Sequence, residues 1–217
     1  MNLKPKFFEK KEASSYRISY EEQNAPFYIA EKLVELLPHH ILQPVVIACI
    51  GTDRSTGDAL GPLIGTILHE KKPTHFHVYG TLENPIHAVN LEEQLVQINQ
   101  THMNPFIIGI DACLGRLKSV GDVTLNAGAL KPGAGVNKQL PPVGEAHLTG
   151  IVNVSGFMEF FVLQNTRLNL VMKMAQTISS GIMEADQLLK VKRSEGIMKK
   201  STIDLLSNKW NEARGLK

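Results

Sequence analysis

Two aspartates stand out as residues that could do chemistry. Asp58 lies in the glycine-rich stretch Gly51-Thr-Asp-Arg-Ser-Thr-Gly-Asp-Ala-Leu-Gly-Pro62, and Asp111 closes the apolar run Phe106-Ile-Ile-Gly-Ile-Asp111. A carboxylate at the end of a buried strand is costly unless it is hydrogen-bonded, charge-paired or used. Two carboxyls that share a crevice can also share a proton, so that one acts as acid while the other activates water. Each acid has a plainer alternative: Asp58 as a helix N-cap, Asp111 as an anchor for the loop that follows. His147 would add a third donor and turn the set Asp58, Asp111, His147 into a transition-metal site. His87 competes with it for that place, because His147 opens its strand and His87 lies in a loop. Cys113, two residues past Asp111, reads as a small buried thiol rather than an activated nucleophile. Arg54 and Arg116 share the loops of the two acids and are candidates for holding a substrate carboxylate. Gly133, Gly135 and Asn137, within Lys131-Pro-Gly-Ala-Gly-Val-Asn-Lys138, offer backbone donors to an extended peptide.

The elements that must position these residues alternate regularly. Residues 25–37 carry Phe27, Ala30, Leu33, Val34 and Leu37 at helical spacing. Pro44–Ile50 is a continuous apolar run of strand length, the pattern of a strand buried on both faces. A helix is expected from Asp58 to about Glu70, with Pro62 in its first turn, where a missing N–H costs little. Further strands are expected at 75–79, 105–111, 120–125 and 147–154, and a helix at 88–99. Residues 126–145 form the longest irregular stretch, and the remainder is helical with a break near Gly181 and a polar final helix holding Trp210. Strand–helix alternation of this kind implies an α/β fold with a mostly parallel sheet covered on both faces. Ligands of such sheets sit outside the carboxyl ends of the strands, where strand order reverses. If the strands ending at Ile50 and Asp111 are neighbours, Asp58 and Asp111 meet there.

Composition limits the alternatives. The chain has 217 residues, 43% hydrophobic and 20% charged, with 23 Lys+Arg against 21 Asp+Glu. One domain of this size can bury a large core, and a net charge of +2 argues against nucleic acid or an anionic membrane as the main partner. Two cysteines are too few for a disulfide scaffold and fit a reducing compartment. No apolar run approaches the roughly 20 residues of a membrane span. The expected organisation is an N-terminal arm over 1–24, an α/β domain over 25–190 and a helical extension of the same domain over 191–217.

Three stretches in order, Gly57-Asp-Ala-Leu-Gly-Pro62, Ile108-Gly-Ile-Asp-Ala112 and Lys131–Lys138, resemble signature segments of the spore germination endopeptidases. The chain as a whole resembles the sporulation protein YyaC family of spore-protease-like proteins. The resemblance covers roughly residues 44–160 and implies a phosphorylase/hydrolase-like three-layer α/β sandwich, shared with the hydrogenase maturation proteases. It implies that Asp58 and Asp111 are the catalytic pair of an atypical aspartate-dependent peptidase. In the maturation proteases, acids matching these two join a histidine, here His147, in holding nickel. This chain departs from the germination protease pattern in having Gly57 where a proline precedes the first aspartate. It also has Asn153–Glu159 in place of the last signature segment.

The reading that follows is a sporulation-associated endopeptidase acting on a spore or sporulation protein in the cytoplasm of the sporulating cell or spore. The residues demand no cofactor, a divalent transition metal being the alternative. The expected partner is a protein or peptide substrate, with a homodimer as the weaker expectation and neither nucleic acid nor membrane. The competing reading is a non-catalytic, regulatory peptide binder built on a peptidase scaffold.

Overall fold

The computed structural model describes residues 16–38, 43–133 and 140–213, with side chains described through Val191. Its central element is β2 (Val45–Cys49), a strand whose five residues are all buried. Val45, Ile47 and Cys49 face one core, and Val46 and Ala48 face a second. Apolar side chains on both faces are what a strand between two helical layers requires. β2 pairs in parallel with β3 (Phe76–Tyr79) and with β4 (Phe106–Gly115). β4 pairs in parallel with β6 (Ala146–Val154). β5 (Asp122–Ala127) and β1 (Tyr16–Ser19) extend the sheet antiparallel, giving the order β1-β5-β6-β4-β2-β3.

The helices divide between the faces. α1 (Ala25–Leu36), α2 (Leu60–Lys71) and α5 (Leu168–Ala213), the last preceded by the short α4 (Glu159–Gln164), close the larger core, in which Leu33, Ile64, Ile110, Leu148 and Ile178 are buried. α3 (Leu91–Thr101) packs Leu91 and Ile98 on the other face, against Val46, Ala48 and Ile107. Leu130 and Val143 complete that smaller core, paired in an isolated antiparallel bridge. The architecture is therefore a three-layer α/β sandwich with a mixed six-stranded sheet. Among the described residues no helix is long and apolar enough to cross a membrane.

Several sequence expectations need correction. Residues 16–19, read as part of an arm, form edge strand β1, because Ile18 reaches the core and the backbone pairs with β5. α5 runs without a break from Leu168 to Ala213 and so passes through position 190. Gly181 does not interrupt it. A Cβ there would lie 2.6 Å from the Ile29 side chain, so the glycine lets α1 and α5 approach closely. β4 does not stop at Asp111 but runs on to Gly115 beside β6. A bulge falls in this pair: Cys113 faces Ile151 and Leu114 faces Asn153, leaving Val152 unmatched.

One buried polar contact fastens α5 to the start of β3. The Asp186 carboxylate accepts the backbone N–H groups of Thr74 and His75 at 3.1 and 2.7 Å, and lies 3.0 Å from His75 Nδ1. Buried charge is tolerated where hydrogen bonds surround it in this way.

Candidate active site

Asp58 is delivered by the turn between β2 and α2. Ala59 occupies the N-cap position of α2 and no side chain caps that helix, so Asp58 does not serve as the cap. Its backbone carbonyl accepts the Thr52 N–H at 3.1 Å, which closes the loop on itself. Gly51 and Gly61 make this possible. A Cβ on Gly51 would lie 2.0 Å from the Asp58 carbonyl oxygen, and one on Gly61 would lie 2.1 Å from that of Ile50. Backbone packs directly on backbone here, and only glycine permits it.

Asp111 comes from β4, beside the point where β2 ends. The Ile50 N–H donates to the Ile110 carbonyl at 2.7 Å, and beyond that bond β2 turns away while β4 continues. The two acid-bearing segments are thus neighbours at the carboxyl end of β2. The acids are also close enough for the charge of Asp58 to act on Asp111. Burial lifts the Asp111 carboxyl to about 8; the Ala112 N–H, donating to Oδ1 at 2.8 Å, opposes the rise, and the negative charge of Asp58 adds to it. Burial also raises the Asp58 carboxyl, and the nearby Ser55 hydroxyl offsets part of that rise. The Ser55 hydroxyl is itself buried and falls outside strict hydrogen-bond geometry with any group. At neutral pH the arrangement favours a protonated Asp111 beside a more readily ionised Asp58. Such a pair can supply an acid and a base together.

The same sheet face carries a polar row in register with Asp111. Asp111 faces Thr149 of β6, Thr149 faces Thr124 of β5, and Thr124 faces Arg17 of β1. The two threonine hydroxyls lie 2.7 Å apart. Cys113 joins this row. Burial pushes its thiol up, a hydrogen bond with Thr149 and the charge of Arg17 pull it down, and Asp111 pushes it up again. Cys113 is only partly buried, where a buried thiol was expected, and the fully buried Cys49 is pushed up by burial alone. Arg17 reaches Ser119 Oγ at 2.9 Å and Asp122 at 3.6 Å.

His147 does not join the acids as a ligand. Its Nδ1–H donates to the Gly128 carbonyl at 2.8 Å, and its Nε2 accepts the Asn126 amide at 3.3 Å, so both ring nitrogens serve β5 and the turn after it. His87 has its backbone N–H bound to Asn90 Oδ1, and its Nδ1 accepts the Val89 N–H at 3.3 Å. Among the described residues no group of three His, Cys, Asp or Glu is placed to hold a metal ion. The donor set Asp58, Asp111, His147 therefore does not fit a three-ligand metal centre. Arg54 is exposed in the turn that carries Asp58, whereas Arg116 is exposed past the end of β4 and shares no loop with Asp111, which lies within the strand. Gly133 ends the described part of its loop, while Gly135 and Asn137 lie outside the described residues. A cavity of about 430 Å³ at the end of β3 is lined by Thr66, Tyr79, Glu83 and Gln94 among others, and by neither aspartate.

Sequence reasoning did not single out Thr149, Thr124 or Ser55. Thr149 could have been found from its position two residues past His147, on the same strand face. Ser55 could have been found from its place one helical turn before Asp58.

Comparison with known proteins gives a family and a solved structure of low similarity. The model of a family described as "Protein of unknown function (DUF1256)" matches residues 17–181. The chain is 52% identical to the "Uncharacterized protein YyaC" of Bacillus subtilis (strain 168) over 187 residues, 86% of this chain and 91% of that one. Among solved structures, a NiFe hydrogenase maturation protease, HycI from Thermococcus kodakarensis KOD1, aligns with a TM-score of 0.49 at 16% identity. That alignment covers 71% of this chain and 98% of the archaeal one.

Proposed function

This chain belongs to the DUF1256 family, and from that premise we propose that it is a peptidase using Asp58 and Asp111 as a paired base and acid. The observation that carries the reading is the pair itself: two carboxyls on adjoining segments at the end of β2, with Asp111 within reach of the charge of Asp58. Asp58, the more readily ionised, takes a proton from water as the water oxygen attacks the peptide carbonyl carbon. Asp111, protonated, gives its proton to the carbonyl oxygen, so a neutral tetrahedral diol forms. Collapse then breaks the C–N bond. Asp58 returns its proton to the leaving nitrogen while Asp111 recovers one from the diol oxygen. The cycle needs no group beyond water and the two acids. Arg54, in the turn that carries Asp58, and Arg116, just past the end of β4, are exposed and would steer acidic residues of the substrate. The substrate is a spore or sporulation protein met in the cytoplasm, a setting supported by the three motifs shared with the germination endopeptidases.

The test is cleavage of a proteome-derived peptide library, with new termini read by mass spectrometry. Wild-type protein generates products, and Asp58→Asn and Asp111→Asn each lower kcat/KM by about 10³-fold or more, while circular dichroism stays unchanged. Undiminished cleavage in both variants overturns the assignment. Peptide binding without cleavage by the wild type identifies a regulatory binder instead.

A further inference from the structure

Two buried hydroxyls find no hydrogen-bond partner among the described residues, those of Ser55 and Ser179. Burying a hydroxyl without a partner costs stability, so each calls for a reason. Ser179 is fully buried in α5, one turn from the apolar Ala175 and Ile182. Ser55 is 4% exposed and stands three residues before Asp58, in the turn between β2 and α2. Its hydroxyl lies near the Asp58 carboxyl and opposes the rise that burial causes there, yet the two are not aligned in a strict hydrogen bond.

The backbone holds the two residues together. The Ala59 N–H donates to the Ser55 carbonyl at 3.0 Å, which closes a turn of helical span over Ser55–Ala59. Side chains three apart in such a turn lie on one side of it. The Thr52 N–H donates to the Asp58 carbonyl at 3.1 Å, and the Gly57 N–H donates to the Leu163 carbonyl at 2.9 Å. Leu163 belongs to α4, which also carries Phe160 and Phe161. A Cβ on Gly57 would lie 2.8 Å from the Leu163 side chain, so α4 presses directly on the segment between Ser55 and Asp58. A hydroxyl buried in this way does not meet substrate, and any part it takes in chemistry runs through Asp58.

We propose that Ser55 is a positioning residue: its hydroxyl closes on the Asp58 carboxylate once that group is ionised and holds it as the base of the pair, leaving the proton on Asp111. The inference rests on the peptidase reading for the use of that base, though not for the contact itself. Catalytic hydrogen bonds are often long in a resting site and tighten as the reaction begins. A hydroxyl donates more strongly to a charged acceptor than to a neutral one, so the contact favours the carboxylate over the carboxyl. Burial lifts both acids, and Asp111 keeps a backbone donor, the Ala112 N–H, that does not overcome it. Ser55 widens the gap between the two by favouring the charge on Asp58.

The experiment follows the carboxyl groups directly. Full-length protein, isotope-labelled at its aspartate carboxyl carbons, is titrated by NMR, and the Asp58 signal is identified by its loss in Asp58→Asn. Ser55→Ala moves the Asp58 midpoint up by about one pH unit. Ser55→Thr, which keeps the hydroxyl, leaves the midpoint at the wild-type value, and so does Ser179→Ala, which removes the other unpartnered hydroxyl. The acid limb of kcat/KM for the peptide library moves with the midpoint. Below both midpoints Ser55→Ala is therefore about tenfold slower than wild type, and the deficit narrows as pH rises. An unchanged midpoint in Ser55→Ala, or an equal shift in Ser55→Thr or Ser179→Ala, overturns the inference. So does loss of the fold in Ser55→Ala by circular dichroism, since the hydroxyl then serves the turn and not the charge. Failure of the peptidase reading appears separately, as an Asp58→Asn protein that still cleaves the library while the midpoint shift persists.

Discussion

The two faces of the sheet use the same strands for opposite purposes. On the face beneath α1, α2 and α5, β4 contributes Ile108 and Ile110, and β6 contributes Leu148 and Val152, all buried. On the other face the same two strands present Asp111, Cys113 and Thr149, with Thr124 and Arg17 continuing the row across β5 and β1. Alternation along a strand separates these sets at no cost in backbone. One face carries the larger core; the other has a smaller core around Val46, Ala48 and Ile107 and, beside it, room for a group that destabilises the fold. Asp111 is such a group, a carboxyl that its surroundings press to stay neutral. Stability and candidate chemistry are divided by the thickness of one sheet.

Substitutions on the two faces should separate these roles. The largest expected effect on stability is on the apolar face: Ile47→Ala removes a fully buried side chain and costs about 2–5 kcal/mol, read from urea unfolding. Asp111→Asn has the opposite sign and depends on pH. The native carboxyl holds its proton to about 8, against an unfolded value of roughly 4, so the native state binds more protons between those limits. Wild-type stability then falls as pH rises through that window, and the neutral asparagine escapes the loss. Asn at this position raises Tm by roughly 2–6 °C at pH 9 and leaves it unchanged at pH 3.5, by calorimetry. A Tm gain that is the same at both pH values breaks the comparison. The same proton sets activity: kcat/KM falls on the alkaline side with an apparent value near 8 as Asp111 ionises. Thr149→Val removes one hydroxyl of the Thr124 pair and costs about 1 kcal/mol in the same urea assay. Ser55→Ala has the smallest effect on stability, within about 0.5–1 kcal/mol, because its hydroxyl makes no hydrogen bond of good geometry among the described residues. It sharpens the comparison by lowering kcat while leaving KM unchanged, with recovery in Ser55→Thr.

Much of this was legible in the residues. Val45–Cys49 and Phe106–Ile110 are apolar without interruption, so two central strands and their parallel pairing follow from pattern alone. Once those strands are neighbours, Asp58 and Asp111 must converge. The edges were not legible. Tyr16–Ser19 lacks a pattern of its own and becomes a strand only by pairing with β5. Gly181 looked like a helix break because propensity counts against glycine, whereas its neighbour Ile29 decides the matter from a different part of the chain. Ser55 and Thr149 carried no motif of their own; only their short spacing from Asp58 and from His147 pointed to them, and it is the Asp58 turn and the pairing of β4 with β6 that set them beside the acids. The exposed phenylalanines of α4 were hidden for a similar reason, since an amphipathic stretch reads as core until the structure shows which side faces water.

The unmatched Val152 puts the last residues of β6 half a pleat out of phase with β4. Downstream of that slip Asn153 is free to leave the ladder's rhythm, and its amide clasps the Val162 carbonyl and the Thr166 hydroxyl, both at 3.2 Å. A single inserted residue thus acts as a gear tooth, setting the angle at which the aromatic helix meets the aspartate loop. Deleting Val152 would restore a regular ladder and unhook that helix, an exchange of local order for misalignment of everything the loop is there to hold.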